Sequence, residues 1–151
     1  MRRLSIAVII VGLALLVGGC GGNDEPKRSA LATDLAQLCD EARADVEALG
    51  LPSEKGFKVV KPTAMIGLRL AKNVGKLEGT TLAEKEQIAS LATYLGDYYA
   101  EMEAGAKLYG IGATEGYVIT MEGAKGKIVS AEALATRMGA PECAVRAFPD
   151  R

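Results

Sequence analysis

The sequence predicts an all-α fold, an antiparallel four-helix bundle, on three observations. Apolar residues recur at spacings of three and four through four segments between Ala30 and Met138. Each segment is bounded by residues that start or stop helices. No run of period-two alternation with hairpin residues competes with them. Short links between consecutive helices then favour antiparallel neighbours.

The first helix is expected over about Ala30 to Leu49, with Leu31, Leu35, Leu38, Ala42, Val46 and Leu49 on one face. Ser29 is its N-cap, and Gly50 followed by Pro52 stops it. The second begins at Pro62, a residue suited to a first helical position, and carries Ile66, Leu70, Val74 and Leu77. Phe57 and Val60 form a separate turn before it. The third opens on the capping box Thr81-Leu82-Ala83-Glu84 and ends at Gly110, with Ile88, Leu91, Leu95, Tyr98, Met102 and Tyr109 as its stripe. The fourth carries Tyr117, Met121, Ala124, Ile128, Ala131, Ala135 and Met138, and Gly139 with Pro141 closes it.

Charge supports one pairing. The first helix holds Asp34, Asp40, Glu41, Asp45 and Glu47 against a lone Arg43, whereas Lys55, Lys58, Lys61, Arg69, Lys72 and Lys76 occur together without an acid. Packing the first helix on the second sets opposite charges along their rim. The alternative use of the basic segment is contact with anionic lipid headgroups. Gly67, Ala71 and Gly75 share a face of the second helix and predict close approach of a neighbouring helix within the fold.

The chain begins differently. Arg2 and Arg3 precede an apolar run from Leu4 to Val17, then Gly18-Gly19-Cys20, and the sequence turns polar at once with Gly21-Gly22-Asn23-Asp24-Glu25. The run is short for a stable membrane span, which needs roughly 17–25 apolar residues. This order of parts resembles a bacterial lipoprotein signal peptide, over about the first 22 residues; Gly18 stands where Ala, Ser or Thr is commoner. The resemblance implies cleavage after residue 19, acyl chains on Cys20 and a flexible tether over 20–29, leaving 30–151 as the folded domain. It implies a protein anchored in the membrane on the extracytoplasmic face of the cell envelope. An ordinary cleaved signal and an uncleaved anchor are the other readings of the same residues.

With Cys20 assigned to lipid, Cys39 and Cys143 make an even pair in an oxidising compartment and are expected to form a disulfide; two separate buried thiols are the alternative. A zinc site is not expected from two thiolates in a chain with no histidine. Losing Arg2 and Arg3 with the leader leaves 16 of the 18 basic residues against 19 acids, a formal charge of −3. That balance argues against a nucleic-acid partner.

The chemistry of catalysis is missing. Without histidine there is no imidazole base for a Ser-His-Asp or Cys-His arrangement, and no Glu-x-x-His di-iron motif. Glu101 and Glu103, two apart on a helix, point to different faces. The segment Gly110 to Gly116 lacks dinucleotide-fingerprint spacing, and Gly126-Lys127-Ile128 fails the phosphate-loop pattern. No enzyme, cofactor or metal is therefore expected. Tyr94, Tyr98, Tyr99, Tyr109 and Tyr117 gather around the third helix and the start of the fourth. Tyrosine offers a flat face and a polar tip, so these five are the candidate site for a small apolar or sugar-like ligand. The expectation is a binding or structural module at the envelope, contacting an envelope protein, or alternatively such a ligand.

Overall fold

The computed structural model describes residues 29–50 and 56–143. The leader, Cys20, the tether to residue 28 and Lys55 lie outside them. Among the described residues, four helices make an all-α bundle: α1 (Ala30–Ala48), α2 (Val60–Val74), α3 (Leu82–Gly110) and α4 (Thr114–Arg137). A 3₁₀ turn over Gly56–Val59 precedes α2, and another over Pro141–Cys143 follows α4.

The helix ends follow from local chemistry. The Ser29 hydroxyl accepts from the Ala32 N–H at 3.1 Å, satisfying one of the donors that a first turn leaves open. Gly50 sits at φ 86° and its N–H donates to the Glu47 carbonyl. This left-handed conformation suits a residue without a Cβ and turns the chain off the helix. Gly139, at φ 86°, does the same after α4, where the N–H of Ala140 reaches back to the Ala135 carbonyl at 2.9 Å. The third helix runs through Gly110, and the left-handed residue is Gly112, not Gly110. The N–H of Ala113 to Leu108 and of Gly112 to Tyr109, both 2.9 Å, close that end.

Two sequence expectations need correction. α2 starts at Val60, two residues ahead of Pro62. Proline fits there because the N–H groups of a first turn have no intrahelical acceptor, so the missing donor breaks nothing. The buried face of α1 is Ala32, Leu35, Ala36, Cys39 and Ala42, while Leu31, Leu38 and Val46 are only partly covered. The face is rotated because the final turn lies against this side; Gly139 would bring an added Cβ to 3.1 Å from that of Ala32.

The capping box of α3 is complete. The Glu84 N–H donates to the Thr81 hydroxyl at 3.1 Å, and the Glu84 carboxylate accepts from the Thr81 N–H at 3.0 Å and from the Thr80 N–H and hydroxyl at 2.7 and 2.6 Å. The Thr80 hydroxyl first, then the two backbone N–H groups, hold the Glu84 carboxyl below the usual carboxylate range. A lowered pKa in the folded state gives stability that is present above the ordinary glutamate pKa and is lost as pH falls through the folded value. Glu84→Gln, which keeps an acceptor and removes the charge, is expected to melt lower than the natural chain at pH 7. The gap should narrow as the pH falls below the ordinary glutamate value and through the lowered value of the folded state. A gap of unchanged size across the acid range would contradict this role for the charge.

Close contacts set an antiparallel register. Along α2 and α3, Gly75 lies near Ala92, Ala71 near Gly96, and Gly67 against Tyr99. Along α3 and α4, Gly105 lies against Tyr117 and Leu108 against Gly116, while Lys127 approaches Asp97 and Glu101. In each pairing one number falls as the other rises. The small face predicted on α2 is thus used inside the fold, where it lets α3 come close.

The core between the helices contains Leu35, Val60, Val74, Leu91, Leu95, Tyr99, Met102 and Ala135, all essentially without exposure. α1 makes its main approaches to α2 and to the final turn. Cys39 on α1 and Cys143 in that turn form a disulfide, with Cα atoms 4.7 Å apart. Thr63 is the buried polar residue of this core, and its hydroxyl has no hydrogen-bond partner among the described residues. Burying such a group costs about 1–3 kcal/mol.

Candidate functional site

The five tyrosines of the candidate site do not converge on one pocket. Positions 98 and 99 are about 100° apart on a helix, so both are buried only because α3 has neighbours on two sides. Tyr98 faces α3's main stripe, and Tyr99 turns toward α2, where its ring covers Gly67. The two rings meet edge to face with centroids 5.0 Å apart. Tyr109 and Tyr117 make a second edge-to-face pair, 5.9 Å apart, across the α3–α4 hairpin. Tyr117 covers Gly105, and burial pushes its phenol up from the ordinary value.

Tyr94 is the member that faces outward, 38% exposed. It borders two open depressions. One, of about 250 Å³, is lined also by Ala89, Ser90 and Thr93. The other, of about 330 Å³, lies between the start of α3 and the end of α4, where Glu86, Gln87, Ser90 and Arg137 bring polar groups beside Leu134. Both open broadly to solvent. Tyr98, Tyr99 and Tyr117 therefore serve packing, Tyr109 is partly buried against the core, and Tyr94 is the most exposed of the five.

The charged candidates resolve into specific pairs. Arg69 on α2 pairs with Asp45 on α1, joining the basic segment to the acidic helix as the charge pattern predicts. Both side chains are more than half exposed, so the pair is worth only ~0–1 kcal/mol. Lys58, Lys61, Lys72 and Lys76 stay exposed. Glu101 and Glu103 do point apart. Glu101, with Asp97, faces Lys127 of α4 at 3.6 and 3.7 Å, whereas Glu103 pairs with Lys107 on its own helix at 3.0 Å. Lys127, which follows Gly126 in the segment that fails the phosphate-loop pattern, is thus an interhelix bridge.

Among the described residues, no group of three or more Cys, Asp or Glu side chains is arranged to hold a metal ion. Among the same residues, no helix is long and apolar enough to cross a membrane. One feature escaped the sequence reading. The inner stripe of α4 draws attention from its outer side, where Val118, Ile119 and Val129 are all more than half exposed. Comparison with protein-family models, with curated proteins and with solved structures finds no match to this chain.

Proposed function

We propose that the protein is a lipid-anchored helical bundle, held at the extracytoplasmic face of a bacterial cell envelope and acting there as a binding or structural module. The observation that carries this reading is the pairing of cysteines. Cys39 and Cys143 are bonded to each other within the fold, which leaves Cys20, at the end of the leader, as the odd cysteine. A disulfide belongs to an oxidising compartment, in agreement with export. Two or three acyl chains on Cys20 would hold the protein stably, since each buried methylene contributes ~0.8 kcal/mol. The segment 21–29 spans at most ~30 Å when fully extended, so the bundle works close to its membrane.

The test is acylation. Expressed with a radiolabelled fatty acid, the natural chain should take up label and appear as a cleaved, membrane-associated product. Cys20→Ala should take up none and accumulate as the uncleaved precursor. Unchanged labelling of the variant, or a natural chain that takes up no label, would overturn the anchor.

A further inference from the structure

Among the described residues, the outer face of α4 carries exposed apolar side chains. Val118, Glu122, Lys125 and Val129 follow at spacings of four, three and four, all on its exposed side. At about 100° per residue they fall in a strip roughly 60° wide. The exposed Ile119 flanks that strip. Glu122 and Lys125 make no ion pair with any described residue.

Read in reverse, the strip keeps its apolar ends and exchanges its two charges, so apolar, acidic, basic, apolar becomes apolar, basic, acidic, apolar. Laid antiparallel on a second copy of itself, it sets Val118 opposite the partner's Val129 and Glu122 opposite the partner's Lys125. A two-fold axis repeats both contacts, giving two charge pairs flanked by two apolar pairs. A parallel arrangement would instead set Glu122 against Glu122 and Lys125 against Lys125, which like-charge repulsion opposes. At the edge of the strip, roughly 40° beyond Glu122, an added Cβ at Gly126 would meet nothing within 4 Å. This glycine weakens the helix relative to alanine, and none of its close contacts inside the fold requires it. Its bare backbone lowers the edge along which a second helix would lie.

We propose that this face of α4 pairs two copies of the chain, antiparallel, about a two-fold axis passing between Gly123 and Ala124. The apolar residues supply the attraction, and the charge pattern fixes direction and register. The inference does not depend on the lipid anchor.

Light scattering and sedimentation of the full chain in mild detergent test it, over about 1–100 µM, where a small interface would dissociate measurably. A concentration-dependent dimer is expected. Glu122→Lys alone and Lys125→Glu alone should each weaken dimerisation by about tenfold or more, because each makes two like-charge contacts. The double variant E122K/K125E should restore it. Gly126→Leu should abolish it while the melting temperature stays at or above that of the natural chain, since the site has open space. A monomer at every concentration would overturn the proposal. So would a dimer indifferent to these changes, or a double swap as weak as the single ones, whatever else then covers the face.

Discussion

Gly67→Ala is expected to destabilise the bundle by about 3 kcal/mol or more, at or beyond the upper end of the usual cost of overpacking a core. An added Cβ would lie 2.2 Å from Cγ and Cδ1 of Tyr99 and 2.3 Å from Cδ2, well inside contact distance. The obstacle is the root of a ring with no exposure, not the loose end of a flexible chain. The ring can yield only by moving α2 away from α3 or by leaving its rotamer. Alanine would return up to ~1 kcal/mol through helix propensity, too little to offset the clash. A fall in melting temperature of about 10 °C is expected for a domain of this size. Removing the ring isolates the cause: in a Tyr99→Ala background, Gly67→Ala should become neutral or stabilising. Equal costs in both backgrounds would show that the pair is not coupled.

The second large effect is loss of the Cys39–Cys143 bond. These residues are 104 apart in sequence. Closing a loop of that length stabilises by up to ~4.7 kcal/mol in the chain-entropy treatment, and removing natural disulfides from small domains typically costs about 2–5 kcal/mol. The double change Cys39→Ala and Cys143→Ala is therefore expected to lower the denaturant midpoint clearly. Reductant should lower the midpoint of the natural chain similarly and leave the variant unmoved. Peptide mapping without reduction should recover the two cysteines joined; alkylation of both as free thiols would refute the bond. The loss should not be uniform. α1 is held chiefly by α2 and by the turn that contains Cys143. Its amides should be the first to lose protection from hydrogen exchange once the bond is gone.

The four helices were legible because their signals are local. Ser29, the Thr81–Glu84 box, Gly50 and Gly139 act on backbone groups within a few residues, so sequence alone locates them. The stripe of α4 was legible because an unbroken three-four alternation has one buried solution, and all of it is buried or nearly so. The cysteine pair was legible through count and compartment rather than geometry.

What failed to show depended on neighbours. Ala32 and Ala36 are weakly apolar, and only the returning final turn makes their side of α1 the inner one. Tyr99 looks available in sequence because it stands off the main stripe, yet that same offset points it into the glycine face of α2. Proximity in sequence suggested a tyrosine cluster where the bundle makes two ring pairs and one surface ring. The outer strip of α4 is written in single exposed residues, which periodicity discounts as ordinary surface.

The antiparallel layout gives the molecule a base and a tip. Ala32 and Gly139 lie side by side, so the described chain enters and leaves at the same end. α3, with 29 residues, climbs from that end and is roughly 43 Å long at 1.5 Å per residue. Under the proposed anchoring, the base stands beside the lipid surface and the hairpin at Ile111, 79% exposed, is presented farthest from it. A reporter placed at Gly112 would then sample the distance into the envelope that the protein reaches, while one placed beside Ser29 would report only its moorings.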